Sequence, residues 1–276
     1  MTRTRSAEIR RSLATRRARP TPPGDRRLTV VIPAFREADR IAASVERVRR
    51  DLADSIEGHD LEIVVVDDGS DDGTADAARA STADQVLELP TNRGKGAAVA
   101  AGVAVANGRT IAFTDADLAY APVQILRLLD AVESGWDVVV GSRHHHQTTT
   151  VVAARRLRDA GGRVINAATR LVLVGGHDDT QCGLKAFRSD VATVLFDHII
   201  TDGFAFDIEL FFLAERYGLS LTEVPVDVEN SDSSTVRVAR DAVRLLVDLV
   251  RIRRGARRGV YDLVPGELDR LSAAGE

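Results

Sequence analysis

The 276-residue chain has one cysteine, few aromatic residues and no long apolar run. Its one cysteine, Cys182, excludes an internal disulfide and is typical of a reducing compartment. Aromatic residues make up only 4% of the chain, and no apolar run approaches the ~18 residues that a membrane-spanning helix needs. The arginine-rich N-terminus is not followed by an apolar segment, which excludes a secretory signal peptide. These absences predict a cytoplasmic protein.

What is present fits an ordinary folded domain. A hydrophobic content of 44% and a charged content of 28% are typical of globular proteins, and the length suits one large α/β domain or two small ones. The net charge of -4 conceals two basic ends: residues 1–27 hold nine arginines against two acids, and residues 237–258 hold eight against two. Basic ends attract phosphate groups, nucleic acid or an anionic membrane. A disordered leader that aids solubility explains residues 1–27 equally well.

From Leu28 onward, short apolar runs alternate with segments of helical periodicity. The runs are rich in β-branched residues and predict strands at residues 28–32, 61–66, 85–89, 110–113 and 137–140. Helical spacing predicts helices at residues 38–52, 74–80, 95–106 and 123–133. The alternation predicts an α/β fold in which helices cover both faces of a mostly parallel sheet. Ligands bind beyond the carboxyl ends of such strands, so the polar motifs there are expected to share one rim.

The second half of the chain is less regular. It predicts strands at residues 182–187 and 221–228 and helices at residues 155–174 and 206–217. An amphipathic helix is predicted at residues 236–254, with an apolar stripe on one face and arginines on another. Such a helix can lie among lipid headgroups or pack on the domain. We therefore expect three parts: a basic leader over residues 1–27, a folded domain over 28–234, and a helix with a tail over 235–276.

Asp115 and Asp117 follow the fourth predicted strand. Two carboxylates one residue apart at a strand end suit Mg²⁺ or Mn²⁺ carrying a diphosphate. An isolated D-x-D triplet is usually a solvated turn, so the neighbouring motifs decide its interpretation. One neighbour is the acidic turn after the second strand, where Asp68 can accept hydrogen bonds from a base or a ribose. Asp71 and Asp72 are expected to be turn and helix-capping residues.

Four motifs carry a resemblance to a known family. They read V-I-P-A-F-R-E at 31–37, V-V-D-D-G-S-D-D-G-T at 65–74, N-R-G-K-G at 92–96 and T-D-A-D at 114–117. In residue identity, order and spacing they resemble the family 2 inverting glycosyltransferases of the GT-A fold. Two further motifs, D-T-Q-C-G-L-K at 179–185 and G-F-A-F-D-I-E-L at 203–210, resemble the dolichyl-phosphate and polyprenyl-phosphate glucosyltransferase branch. The resemblance runs from about Leu28 to about Val228.

The resemblance implies a Rossmann-like GT-A domain that moves a hexose from a nucleotide sugar to polyprenyl phosphate, with inversion and with Mg²⁺ or Mn²⁺. It makes UDP-glucose the preferred donor and GDP-mannose the nearest rival. Two alternatives stay open: transfer to a soluble acceptor, such as a saccharide or a small phosphorylated acid, and a membrane-docking module that only binds nucleotide sugar. We expect a peripheral protein at the inner face of an anionic membrane. A nucleic-acid partner is disfavoured, because the basic helix lacks aromatic residues and the core is acidic.

The resemblance also implies roles for single residues. The nucleotide would be held by Pro33, Phe35, Glu37, Asp68, Lys95 and Asp115, and the metal by Asp115 and Asp117. Arg143 follows the fifth strand and can bind the acceptor phosphate through two hydrogen bonds, with an ordinary surface arginine as the alternative. Asp179 is the first candidate for orienting or deprotonating the acceptor, and Asp207 and Glu209 come next. Each of these three carboxylates can instead be structural.

Two positions depart from the family pattern. Arg36 stands before Glu37, where the family usually has asparagine. Ala119 stands two residues after Asp117, where lipid-phosphate mannosyltransferases often have glutamine. A third protein ligand to the metal is therefore not assigned, and water can fill its place.

Overall fold

A computed structural model describes residues 19–143, 182–229 and 238–272. The described strands form one seven-stranded sheet with the order β3-β2-β1-β4-β6-β5-β7. Their bounds are β1 (Arg26–Ala34), β2 (Leu61–Asp67), β3 (Gln85–Glu88), β4 (Gly108–Phe113), β5 (Val138–Ser142), β6 (Lys185–Arg188) and β7 (Leu221–Pro225). Each of the seven predicted strands overlaps one of these. The helix predicted at residues 155–174 lies outside the described residues.

The helices surround this sheet and mostly match the sequence-based prediction. They are α1 (Ile41–Leu52), α2 (Thr74–Arg79), α3 (Lys95–Val105), α4 (Ile125–Glu133), α5 (Ser189–His198), α6 (Phe206–Arg216), α7 (Val238–Arg257) and α8 (Pro265–Ser272). A short 3₁₀ turn, Pro122–Gln124, leads into α4. The sequence did not predict α5 or α8. The prediction of helices alternating with strands over the first half is confirmed.

The sheet is mostly parallel, as predicted. β1 pairs in parallel with β2 and β4, β2 with β3, and β5 with β7. Only β6 runs against its neighbours β4 and β5 within the described sheet. Every residue of β2 is buried, because layers on both faces cover a central strand. That double covering is why these strands appear in the sequence as continuous apolar runs.

Parallel pairing brings the ends of three strands to one edge. Ala34 at the end of β1 pairs with Asp67 at the end of β2, and Val31 pairs with Phe113 at the end of β4. The antiparallel strand β6 begins here, because Lys185 pairs with Phe113. The segments that follow β1, β2 and β4 therefore meet the segment that precedes β6.

The alanine-rich helix α3 packs closely on the sheet. Alanine has the highest helix propensity, and α3 contains five of them among its eleven residues. A Cβ added at Gly102 would overlap the Val31 side chain of β1. This glycine lets the helix approach the strand, so the start of α3 has a fixed position at the rim.

The folded domain begins before the boundary expected at residue 28. The Arg19 side chain is 1% exposed, and its guanidinium bonds Oδ1 of Asp137 at 2.6 Å and the carbonyl of Arg270 at 2.6 Å. Asp137 is also fully buried and accepts a hydrogen bond from the Ser220 amide at 2.8 Å. Removing one partner of such a buried pair leaves an uncompensated charge. Residues 19–27 are thus part of the fold, and the earlier residues lie outside the described chain.

The long helix α7 presents two apolar sets. Leu245, Leu249 and Ile252 belong to the predicted stripe and are buried against the domain. Exposed apolar residues form a second set, Leu246, Val247 and Val250. In the part of the chain that is described, no helix combines the length and the apolar character needed to cross a membrane.

Candidate active site

The acidic pair lies in a tight turn just beyond β4. The Leu118 amide donates to the Asp115 carbonyl at 3.0 Å, and the Ala119 amide donates to Oδ1 of Asp117 at 3.1 Å. Leu118 takes a φ of 46°, in the left-handed region. Burial raises the pKa of Asp117, and the charge of Asp115 raises it further. Two carboxylates that repel each other in this way favour a cation between or beside them.

Lys95, the first residue of α3, provides the positive charge of the site. Its ammonium forms an ion pair with Oδ1 of Asp115 and lies 5.7 Å from the centre of the Phe113 ring. Burial on its own would lower the pKa of Lys95, but the charges of Asp115 and Asp207 outweigh it, so the pKa is raised. The lysine is therefore charged at neutral pH, and it lies beside the acidic pair as the sequence predicted.

Asp68 holds the turn that presents Lys95. Its two carboxylate oxygens accept the amides of Arg93 at 2.8 Å and Gly94 at 2.7 Å, and its side chain is buried. Gly94 takes a φ of 110°, which favours glycine at this position. The sequence assigned Asp68 to the nucleotide, whereas these contacts favour a role in fixing the turn.

The end of β1 and the residues after it include the predicted nucleotide-binding residues Pro33 and Phe35. Pro33 is buried within β1 opposite Val66, which favours a packing role over direct contact with a ligand. Phe35 is 41% exposed, and the Arg36 guanidinium lies 5.4 Å from its ring centre. Arg36 adopts a φ of 57°, and its amide donates to Oγ of Ser70 at 2.8 Å. Asparagine tolerates this left-handed conformation better than arginine.

Glu37 is a further acid whose charge interacts with the acidic pair. Its carboxylate pairs with Arg40 at 2.8 Å, and its amide donates to Oγ1 of Thr74 at 2.8 Å. Burial raises the pKa of Glu37, Arg40 opposes this, and the charges of Asp117, Asp72 and Asp115 add to it. The charges of Asp117 and Asp115 thus act on Glu37, and a cation close to these carboxylates would reduce their repulsion.

A second ion pair is buried, and its lysine lies near the same Phe113 ring as Lys95. Nζ of Lys185 bonds Oδ1 of Asp207 at 2.6 Å and the Cys182 carbonyl at 2.7 Å, and it lies 5.5 Å from the centre of the Phe113 ring. Burial raises the pKa of Asp207, and the charges of Lys185 and Lys95 oppose the shift. Asp207 is thus coupled to the acidic pair through charge, but its carboxylate is engaged by Lys185.

Glu209 is completely buried, and each of its carboxylate oxygens accepts two hydrogen bonds. One oxygen accepts the Ile200 amide at 3.0 Å and the Tyr261 hydroxyl at 2.5 Å. The other accepts the amide of Thr201 at 2.9 Å and its hydroxyl at 2.6 Å. A general base must reach the proton that it removes. These contacts favour a structural role for Glu209 over the predicted role as a base.

Two predicted residues remain, one at the limit of the described residues and one beyond it. Arg143 is exposed and directly follows β5, at the carboxyl end of that strand. Asp179 lies outside the described residues. The predicted roles of both residues stay predictions.

Sequence reasoning missed two residues that shape the site. Gly183 packs against Asp115 so closely that an added Cβ would overlap its Oδ2 atom. Lys185 neutralises Asp207 next to the acidic pair. Both belong to the D-T-Q-C-G-L-K motif, so the motif itself was the signal for them.

The donor set suits a hard divalent cation. Asp115, Asp117 and Glu37 offer only oxygen atoms, the ligands that Mg²⁺ and Mn²⁺ prefer. Within the described ranges, however, no group of three or more His, Cys, Asp or Glu side chains is arranged to hold a metal ion. A cation here would take the rest of its ligands from a diphosphate and water, as Mg²⁺ usually does.

Comparison with known proteins identifies the family. The chain matches the family model described as "Glycosyl transferase family 2" over residues 29–196. It is 31% identical to the dolichyl-phosphate beta-glucosyltransferase of Saccharomyces cerevisiae, covering 85% of this chain and 76% of that protein. It is 30% identical to the polyprenol monophosphomannose synthase of Mycolicibacterium smegmatis, covering 79% and 83%.

The solved structures support the same fold. Glucosyl-3-phosphoglycerate synthase from Mycobacterium tuberculosis, in complex with Mn²⁺, UDP and glucosyl-3-phosphoglycerate, superposes with a TM-score of 0.64 at 22% identity. The match covers 84% of this chain and 81% of that one. Sequence motifs, fold and relatives agree: the chain is a glycosyltransferase of the GT-A fold and belongs to glycosyl transferase family 2.

Proposed function

We propose that the enzyme transfers glucose from UDP-glucose to a polyprenyl phosphate, with inversion at the anomeric carbon. The observation that carries this proposal is the acidic pair Asp115 and Asp117, which the charged Lys95 contacts at the rim of the sheet. The relatives named dolichyl-phosphate beta-glucosyltransferase, from Saccharomyces cerevisiae and Drosophila melanogaster at 31% and 32% identity, support the sugar and the acceptor class.

Mg²⁺ or Mn²⁺ would be held by Asp117 and Asp115, and would offset the negative charge that develops on the leaving diphosphate. Burial raises the pKa of Asp117 and repulsion from Asp115 raises it further, and a bound cation would relieve that repulsion. Lys95 would supply a further positive charge to the phosphates as a compact ammonium. Phe35, with its exposed ring, and Glu37 would contact the nucleoside.

The acceptor needs little activation. The second pKa of a phosphomonoester is about 6, so a lipid phosphate is mostly dianionic at pH 7. Its oxygen would attack the anomeric carbon on the face opposite the diphosphate, and the bond to the diphosphate breaks as the new bond forms. We propose that Arg143 binds this phosphate and that Asp179 orients the acceptor. Asp207 is the weaker candidate, because Lys185 already occupies its carboxylate.

We propose that α7 holds the enzyme at the inner face of an anionic membrane as a peripheral protein. Leu246, Val247 and Val250 are exposed on this helix, and its buried stripe already packs on the domain. The same helix carries exposed arginines at 244, 251, 253, 254 and 257. Apolar residues among basic ones suit a helix lying in the headgroup region, where each arginine contributes about 1 kcal/mol.

A mannosyl donor is the second candidate. The Mycolicibacterium smegmatis relative is named polyprenol monophosphomannose synthase, and its 30% identity is close to that of the glucosyltransferases. Transfer from labelled UDP-glucose and from labelled GDP-mannose, assayed side by side, distinguishes the two donors.

The test is a transfer assay with Mn²⁺ and labelled UDP-glucose or GDP-mannose. Polyprenyl phosphate in detergent and 3-phosphoglycerate are offered together as acceptors, and lipid extraction separates their products. We expect labelled glucolipid from UDP-glucose. Its β linkage is measured by the coupling constant between protons H1 and H2 of the glucose. Label recovered only in water-soluble products such as a phosphoglycerate glucoside would contradict the acceptor. An α linkage would contradict inversion.

A further inference from the structure

We propose that Tyr261 and Glu209 are positioning residues for the nucleotide-binding site, so that the C-terminal segment, residues 238–272, is a working part of that site. The inference rests on the proposed function only in taking Lys95 and the acidic pair as the donor site. A continuous set of contacts runs from Tyr261 through Glu209 and Asp202 to the start of α3, where Lys95 lies. Neither the family match over residues 29–196 nor the sequence motifs include Tyr261.

Glu209 is where these contacts meet. It is fully buried in α6 and accepts four hydrogen bonds, three of them from Ile200 and Thr201 in the segment before that helix. The fourth comes from the Tyr261 hydroxyl at 2.5 Å. Hydrogen bonds to a buried charged group are the strong ones, worth roughly twice a neutral bond. Glu209 therefore ties residues 199–203 to the C-terminal segment.

Residues 199–203 in turn hold the start of α3. The Asp202 carbonyl accepts the Gly96 amide at 2.8 Å and the Ala97 amide at 3.3 Å. A Cβ added at Gly94 would lie 2.5 Å from the Asp202 carbonyl oxygen, and one at Gly96 would lie 2.9 Å from that of Thr201. The two backbones are in contact without spare room, so a shift of the segment moves the first turn of α3, where Lys95 pairs with Asp115.

The C-terminal segment packs against the domain around Tyr261. Tyr261 is fully buried, and its ring meets that of Phe212 edge-on with centres 5.5 Å apart. A Cβ added at Gly255 in α7 would lie 3.2 Å from the Tyr261 ring and 3.3 Å from the Ile200 side chain. Burial, with Glu209 beside it, raises the pKa of Tyr261 above its ordinary value, so the hydroxyl stays a donor. Gly255 of α7 thus lies close to both Tyr261 and Ile200, and these two residues each donate a hydrogen bond to Glu209.

A pair of tyrosine variants tests the connection. Tyr261→Phe removes only the hydroxyl that reaches Glu209. Tyr217→Phe is the matched control, because its hydroxyl donates to the Tyr261 carbonyl at 3.1 Å in the same interface without touching Glu209. We expect Tyr261→Phe to weaken Mn²⁺-dependent binding of UDP about fivefold in calorimetric titrations and to raise the KM for UDP-glucose with little change in kcat. Tyr217→Phe should stay within about twofold of the wild type.

A second pair probes the other oxygen of Glu209. Thr201→Val keeps the shape of the side chain but removes the hydroxyl donor, whereas Thr201→Ser retains it. We expect Thr201→Val to lose UDP affinity and Thr201→Ser to restore it. Hydrogen exchange should be faster at the Gly96 and Ala97 amides in Tyr261→Phe and Thr201→Val only, because these amides bond Asp202.

The outcomes separate the inference from the proposed function. Wild-type protein that binds neither Mn²⁺–UDP nor Mn²⁺–GDP overturns the proposed donor site. If the wild type binds and Tyr261→Phe and Thr201→Val bind equally well, the positioning role is overturned. Equal losses in Tyr261→Phe and Tyr217→Phe, with equal falls in thermal midpoint, also overturn it, since they report general loosening of the C-terminal segment.

Discussion

The ammonium of Lys95 is ion-paired with Oδ1 of Asp115 immediately beyond the end of β4. Gly183 packs against the other oxygen, so the Asp115 carboxylate is confined on two sides. The lysine offsets part of the repulsion between Asp115 and Asp117. Under the proposed function, its ammonium would also bind the diphosphate. This one pair therefore links the helix α3, the acidic turn and the D-T-Q-C-G-L-K motif.

Replacing Lys95 with methionine is expected to lower kcat for glucosyl transfer about a hundredfold, because a preorganised charge on the leaving group is lost. The measurement is steady-state kinetics at saturating Mn²⁺. Arg93→Met is the control, since Arg93 is more than half exposed and pairs with Asp202 at 3.4 Å. Exposed pairs contribute little, so its kcat should change less than about threefold. Equal losses in both variants would contradict the role of Lys95.

Gly183→Ala is expected to displace Asp115, because the added Cβ would overlap its Oδ2 atom. We expect donor affinity and turnover each to fall at least about tenfold, the range seen when a site loses its geometry. Gly58→Ala is the control, since nothing lies within 4 Å of a Cβ added there. Wild-type kinetics in Gly183→Ala would show that the confinement of Asp115 has no role in the reaction.

Asp117→Asn is expected to abolish transfer and yet stabilise the metal-free protein at neutral pH. The pKa of Asp117 is raised in the folded state by burial and by Asp115. An acid whose folded pKa exceeds its unfolded value loses stability as the pH rises from the unfolded pKa through the folded one, and the loss is complete above it. Removing the charge therefore raises the thermal midpoint, by about 1–3 °C in calorimetry.

The wild type provides the comparison for that variant. Mn²⁺ with UDP should raise the midpoint of the wild type but not that of Asp117→Asn, because a ligand stabilises only the state that binds it. A midpoint for the metal-free variant below that of the wild type would contradict the electrostatic account of the acidic turn.

Removing two arginines of α7, Arg251→Gln with Arg254→Gln, is expected to weaken binding to anionic vesicles about thirtyfold, at about 1 kcal/mol for each charge. Co-sedimentation with phosphatidylserine vesicles measures this, and the binding should weaken further with added salt. Arg79→Gln on α2 is the control for charge alone, since Arg79 is about half exposed. Unchanged co-sedimentation of the double variant would remove α7 as the membrane contact.

The sequence predicted the strands well because a sheet covered on both faces produces short apolar runs. Helix α5 escaped prediction because six of its ten residues are buried, which obscures any helical period. The roles of Asp68 and Glu209 could not be predicted for a different reason. Their partners are backbone amides of Arg93 and Gly94 in one case and of Ile200 and Thr201 in the other, and only the folded chain brings these together.

The meeting of the D-x-D turn and Lys95 at one rim could be predicted from the order of strands and helices, whereas their roles toward metal and nucleotide stay predictions. Local sequence is enough to recognise two carboxylates one residue apart after a strand. The same holds for a lysine in a glycine-rich turn before a helix. Tyr261 carries no such signal, since it lies 52 residues after Glu209 in a segment without a motif. Its contribution became visible only from its hydrogen bond to that carboxylate.

The most direct test is a crystal structure of the protein with Mn²⁺ and UDP, and with GDP in parallel. The account predicts a manganese ion bound by Asp117 and by both phosphoryl groups of the nucleotide, with Lys95 in contact with a phosphate oxygen. Nucleotide and metal bound elsewhere, with Asp115 and Asp117 both directed into solvent, would contradict it.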